Sequence, residues 1–301
     1  MSNQNTNNLD AEIDLFELLS ILWAGKIKII IITILFAVYS VYFALSIPNQ
    51  YKATSLLTPT QSSGGGISSA MGQFGGLASL AGVNIGAAQT NEAKIAIEIM
   101  QSWSFIENFI AENNLAVELS AVKGWNKSTN DLQIDDGVYD LENNKWISTP
   151  PSSWSLFQSF LGISLVSENK SSGLVTVSME YYSPQIAKHW LDLYVSSINT
   201  YMQNRKIVEA TRTIEYLEEQ IAQTSITGMQ EVFYTIIEEQ TKNKMLAVAS
   251  PEYVFTSVSP AMVPEEKSQP RRSIICILGT LLGGIFSTLL VLVMHYTRKQ
   301  N

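Results

Sequence analysis

Two long apolar runs, Ile27 to Ile47 and Ile274 to Tyr296, stand apart from a middle in which apolar residues recur only at helical or alternating spacing. Each run is close to the ~20 residues that a helix needs to cross the hydrocarbon core of a bilayer. The second holds no charge until Arg298 and Lys299 follow it. The first holds one, Lys28, near enough to its start to snorkel to the headgroups, and Trp23 and Tyr296 suit interfacial positions. A secretory signal peptide is the competing reading of the first run. Its length exceeds a signal core of ~7 to 15 residues, and an acidic tail (Asp10, Glu12, Asp14, Glu17) precedes it, so a span is preferred. Residues 1–26 and 297–301 then form two short tails on one side of a membrane, and 48–273 lie on the other.

The middle opens with Tyr51 to Thr58, an alternating, β-rich stretch that reads as a strand. A glycine-rich segment, 62–86, follows and reads as a loop within a membrane-proximal α/β domain over 48–182. No Gly-Lys-Ser/Thr closes that segment, which argues against a phosphate-cradling loop. From Asn91 the apolar spacing is helical through Ile95, Ile99, Trp103, Ile106, Phe109 and Ile110. Gly124 to Ile147 is polar and loop-like, with a small hairpin at Gly137 to Asp140 and Lys145 to Ile147. A short helix over Ser152 to Leu161 and paired strands at Leu161 to Val166 and Leu174 to Tyr182, turning at Gly173, complete that unit.

Ser183-Pro184 has the capping hydroxyl and first-turn proline of a helix start, and helical composition then runs to about Gln223. Ile207, Ala210, Ile214, Leu217 and Ile221 recur three and four apart, the seam of a helix that packs on a neighbour or on another copy. After a break at Thr224 to Gly228, a second helix from Met229 to about Ala247 carries Val232, Ile236 and Leu246 on its expected apolar side. The two form an extended helical hairpin over 183–249. A strand within 250–259, centred on Tyr253 to Ser259, is expected to return to the sheet begun by Tyr51 to Thr58. Pro260, Pro264 and Pro270 then make 260–273 a semi-rigid juxtamembrane segment. The fold class is therefore an α+β domain with a long helix hairpin, anchored by two transmembrane helices.

Charge refines this picture. The net charge is −8, and the middle carries 15 basic against 23 acidic residues. Such a domain is a poor partner for nucleic acid or for flat docking on anionic lipid. Basic residues flank the spans evenly, Lys26, Lys28, Arg298 and Lys299 against Lys52, Lys267, Arg271 and Arg272, so the positive-inside rule does not set orientation. The single cysteine, Cys276, lies within the second span, so no disulfide forms within one chain. His189 and His295 are the only histidines and are far apart, which supplies neither a catalytic triad nor a histidine metal cluster. Adjacent carboxylates at Asp135-Asp136, Glu218-Glu219, Glu238-Glu239 and Glu265-Glu266 read as solvated faces. No cofactor, metal or catalytic site is expected. Gly279 and Gly283, with Gly284 beside them, are spaced to let two membrane helices approach closely.

The order of these parts resembles the polysaccharide co-polymerases, the chain length determinant proteins of surface polysaccharide synthesis. The resemblance rests on an acidic tail before a span, Tyr51-Lys-Ala-Thr-Ser, Gly76-Leu-Ala-Ser-Leu-Ala-Gly82, Tyr139-Asp140 with Trp146, and Gly173-Leu-Val-Thr-Val-Ser178. It continues through Ser183-Pro184, Asn199, Tyr216-Leu217-Glu218 and Glu238-Glu-Gln240. It is sharpest where Tyr253-Val-Phe255 runs into Pro260-Ala261, Val263-Pro264-Glu265 and Pro270-Arg271-Arg272 beside a span. The resemblance implies a bacterial inner-membrane protein with two spans, both termini cytoplasmic and the bulk periplasmic. It also implies a homo-oligomeric ring that acts without a catalytic site of its own, beside a membrane-embedded polymerase, on a lipid-linked glycan. Some relatives are fused to, or paired with, a tyrosine kinase. The sequence given ends five residues after the second span, so a fused kinase is not expected. The helical excursion is shorter than in many relatives. Two other readings remain open: a membrane adaptor for exopolysaccharide or capsule export with a separate cytoplasmic tyrosine kinase, and an exported membrane-bound glycosidase.

Overall fold

The computed structural model describes residues 15–60 and 85–300. The acidic residues Asp10, Glu12 and Asp14 and nearly all of the glycine-rich segment lie outside them. Two compact units divide the chain: one joins its two ends, and the other spans Gln50–Ser268.

The first unit holds α1 (Leu15–Ala24), α2 (Lys26–Ser46) and α9 (Arg272–Gln300). Among the described residues, two helices are long and apolar enough to cross a membrane, at Lys26–Ser46 and Arg272–Thr297. They pack antiparallel along their lengths. Most of their large apolar side chains, such as Ile34, Leu35, Val38, Leu281 and Leu289, point outward, as a bilayer solvent requires.

The second unit is built on an antiparallel sheet. β1 (Gln50–Pro59) pairs with β7 (Val175–Tyr181) in a register that sets Tyr51 opposite Tyr181 and Leu57 opposite Val175. β6 (Ser164–Glu168) extends the sheet beyond β7, and β8 (Phe255–Ser259) pairs with the far end of β1, so the order is β6-β7-β1-β8. Alternation decides which face is covered: Ala53, Ser55 and Leu57 of β1 are buried, as are Val175, Val177, Met179 and Tyr181 of β7.

Against that face lie α3 (Ile85–Met100), α4 (Trp103–Glu112), α5 (Ala116–Ser120), α6 (Ser153–Ile163) and the first half of α7 (Pro184–Gln223). The centre of the core is aromatic. The rings of Phe109, Phe160 and Tyr194 meet pairwise at 5.3, 5.2 and 5.1 Å, and Trp190 lies 4.5 Å from Tyr181. Such pairs add stabilisation beyond area burial, roughly 0.5–1.5 kcal/mol each. The Tyr194 hydroxyl donates to the Met100 carbonyl at the end of α3, so the buried phenol is satisfied.

Several expected boundaries move. The helix expected from Asn91 begins at Ile85, which takes the last two residues of the glycine-rich stretch into α3. It is also two helices and not one. Ser102 donates its hydroxyl to the Ile99 carbonyl and accepts from Phe105 N, ending α3 and capping α4. The stretch read as loop after Gly124 contains a strand pair, β2 (Val122–Asn126) and β3 (Asp131–Ile134), reversed by Asn130 at φ 61°. β4 (Tyr139–Asp140) and β5 (Lys145–Trp146) form the small expected hairpin, with Asn144 at φ 50°. Leu161 to Ile163, expected in a strand, finish α6.

Candidate functional site

Ser183 caps α7 by accepting from Ile186 N, and Pro184 occupies its first turn. Over the first half, Ala187, Trp190, Leu191, Tyr194, Ile198 and Met202 recur at helical spacing and are buried on the sheet. The second half leaves the sheet and packs against α8 (Thr227–Ala249) to make the hairpin. Of the seam residues, Ala210 and Leu217 are buried there, and Ile207, Ile214 and Ile221 are half-buried.

Two glutamines fasten the hairpin at opposite ends. Gln203 Nε2 donates to the carbonyls of Ala247 (2.8 Å) and Ser250 (3.2 Å), at the end of α8. Gln230 Nε2 donates to Thr224 O (2.9 Å) and Ile221 O (3.5 Å), at the end of α7. Both supply donors to carbonyls at a helix end, where the intrahelical ladder runs out; that of Ala247 also accepts from Ser250 N.

Asn199 performs a third tie. Its side chain, 3% exposed, accepts from Val254 N and Phe255 N (both 2.9 Å) and donates to Phe255 O (2.9 Å), which seats β8. Tyr253 lies just before, its hydroxyl pushed up to about 12 by burial first and then by Glu92 and Glu209.

On α8 the expected apolar side, Val232, Ile236 and Leu246, is covered only in part, with Ile236 half-buried. Val232 is 56% and Leu246 39% exposed, whereas Ala247 is fully buried. A small residue permits close approach of α8 to its neighbour, and of the larger residues Phe233, Ile236 and Ile237 are half-buried. The hairpin thus presents Tyr216 and Val208 from α7 and Val232, Tyr234, Met245 and Val248 from α8 to solvent, each more than half exposed. Beside them an open hollow of 580 Å³ runs along α7, lined by Tyr201, Arg205, Val208, Glu209 and Arg212.

The proline segment is extended, and it is more than a spacer. Pro260 is exposed, Pro264 half-buried and Pro270 buried, while Ala261 sits in the core. Within it, β9 (Lys267–Gln269), whose Lys267 and Ser268 belong to the sheet unit, pairs with β1. The Ser268 hydroxyl is shared between the Gln50 carbonyl, at 3.1 Å, and the Glu180 carboxylate. Met262, at 78% exposed, and Val263 project from the same segment.

Between the spans, Gly279 and Gly283 lie where the helices approach most closely. A Cβ at Gly279 would fall 2.4 Å from Ser40 Cβ, and one at Gly283 2.5 Å from Phe36 Cβ. Gly284 faces away, with nothing near it. The contact continues through the Thr33 and Ser287 hydroxyls, 3.3 Å apart, to Gly25, where an added Cβ would meet Val291 at 2.4 Å. At the other end Arg272 donates to Ala44 O and Asn49 Oδ1, both at 3.1 Å, which satisfies a carbonyl at the end of α2. Sequence spacing signals Gly279 and Gly283. Gly25, Ser40, Arg272 and the two glutamines carry no such signal, because their roles depend on which helix lies opposite.

Among the described residues, no three His, Cys, Asp or Glu side chains gather to hold a metal ion. His189 is exposed beside the buried Trp190. Its charge opposes the burial that raises the carboxyl of Glu118 above the ordinary carboxylate range.

Comparison with known proteins follows the same line. Residues 11–113 match the family model described as chain length determinant protein. That is the family the order of parts resembles. No curated protein sequence matches the chain. Among solved structures, a full-length bacterial polysaccharide co-polymerase aligns at 16% identity and a TM-score of 0.42, over 96% of this chain and 99% of its own. A fragment of WzzB, a polysaccharide co-polymerase from Salmonella Typhimurium, aligns at 13% identity and a TM-score of 0.30, over 73% of this chain and 100% of the fragment. A mutant of the Shigella flexneri lipopolysaccharide O-antigen chain-length regulator aligns at 11% identity and a TM-score of 0.25, over 73% and 100%.

Proposed function

We propose that this chain is a non-enzymatic, self-associating scaffold of the bacterial inner membrane that regulates the length of a surface polysaccharide, O-antigen or a related lipid-linked glycan, beside a separate membrane-embedded polymerase. In this reading both termini are cytoplasmic and Gln50–Ser268 is periplasmic. The family match over 11–113 supports the class of process. The observation that carries the scaffold role is the hairpin, whose own seam is occupied inside the chain while a second set of large apolar side chains stays outside. Large apolar side chains left outside on one hairpin are what an interface between copies would use. Copies of the chain joining through those outer faces of α7 and α8 would form the homo-oligomeric ring. The tightly packed spans and the Pro260–Pro264–Pro270 segment would then transmit ring geometry to the polymerase.

Deleting the gene and sizing the surface glycans on a gel tests this reading. The expected result is loss of the modal length cluster with total glycan retained, and its return on complementation. An unchanged distribution, or glycan turnover by the purified protein alone, would overturn it.

A further inference from the structure

At the end of the span pair that carries the chain termini, α1, α2 and α9 enclose a cleft of 240 Å³ lined by Ile21, Gly25, Lys28, Val291, Met294 and His295. That volume equals about eight waters at ~30 Å³ each, room for a phosphodiester and its glycerol. Its chemistry is divided: Ile21, Val291 and Met294 supply apolar walls, while Lys28 and His295 supply N–H donors. Ammonium and imidazole are both exposed, and neither has an ion-pair partner among the described residues. Gly25 makes the cleft possible, since the contact with Val291 leaves no room for a side chain. Lys26, two residues earlier, is held differently, with its ammonium 5.0 Å over the Trp23 ring. Lys28 is thus the cation presented to the cleft, and among the described residues no carboxylate lines it.

We propose that this cleft is a binding site for the headgroup of an anionic phospholipid, with Lys28 and His295 on the phosphate and Ile21, Val291 and Met294 against the glycerol and the first acyl carbons. Charge complementarity selects the occupant. A lysine at the headgroup level attracts anionic lipid, and basic pockets between membrane helices take anionic headgroups. The site is independent of any role in glycan length.

The test uses the full-length protein in nanodiscs of phosphatidylethanolamine alone or with phosphatidylglycerol or cardiolipin, with retained lipid counted by native mass spectrometry after transfer to detergent. The wild type is expected to retain the anionic lipids selectively. Lys28→Gln with His295→Gln should lower that retention roughly fivefold or more, the equivalent of losing about one cation's attraction. Lys26→Gln, equal in charge lost, should leave it unchanged. Equal retention of the zwitterionic and anionic lipids by the wild type, a result that needs no variant, would overturn the proposal. So would equal losses in the Lys26 and Lys28 variants, competition by inorganic phosphate alone, or preference for a polyprenyl diphosphate over both phospholipids.

Discussion

Asn199 shows how much one polar side chain decides in this chain. Its amide meets the N–H groups of Val254 and Phe255 and the Phe255 carbonyl, at the entry to β8, in a buried position, so removing it leaves three groups unmatched in a place that water does not reach. Asn199→Leu should therefore lower the stability of the sheet unit by about 3 kcal/mol, read as a Tm lower by roughly 6–12 °C. A Tm within 2 °C of wild type would show that β8 is seated by other contacts. Glu118 makes the opposite kind of prediction. Burial raises its carboxyl, with His189 opposing, so the folded chain holds that proton more tightly than the unfolded chain does. Ionising it costs stability, a penalty absent below the ordinary carboxylate range and growing as pH rises through the raised value. Glu118→Gln should raise Tm at pH 7 and leave it unchanged at pH 4. The Tyr181 bond to the Glu118 backbone carbonyl is retained in the variant. A gain of equal size at both pH values would remove ionisation as the cause.

At the level of elements, the spans and the long hairpin follow from periodicity and length alone, and their functional detail follows from what each packs against. Gly279→Leu with Gly283→Leu forces side chains into Ser40 and Phe36. This should weaken the α2–α9 contact by roughly 1–3 kcal/mol, the cost of overpacking. In cells the expected outcome is a shifted glycan length distribution while circular dichroism of the sheet unit is unchanged. An unshifted distribution would reject coupling through the spans. Apolar spacing made the two spans, α7 and the β1–β8 pairing legible in the sequence. The break at Ser102 was hidden because the apolar stripe continues in register from Ile99 to Ile106, and only the serine's two hydrogen bonds end the helix. β2 and β3 were hidden because they are short and set in a polar stretch: only Leu132 and Ile134 alternate with Asp131 and Gln133, opposite Trp125 and Val122, and a left-handed Asn130 reverses the chain. On α8, spacing alone points to Val232, Ile236 and Leu246 as the buried side, whereas packing covers Ala247 fully and Ile236 in part.

Taken as a whole molecule, the chain combines paired membrane helices with a domain whose hairpin leaves apolar surface unmatched. A function by self-association requires those outer faces to be separable from folding. Val208 and Tyr216 are 55% and 60% exposed, so Val208→Glu with Tyr216→Glu should change the stability of the sheet unit by no more than about 0.5 kcal/mol per site, while the assembled mass falls and the glycan length cluster is lost. The mass of the full-length protein in lipid nanodiscs, measured one particle at a time, tests self-association most directly. A single multimeric species of fixed copy number, lost in the double variant, is the predicted result. A wild-type protein that remains monomeric in lipid would contradict the account.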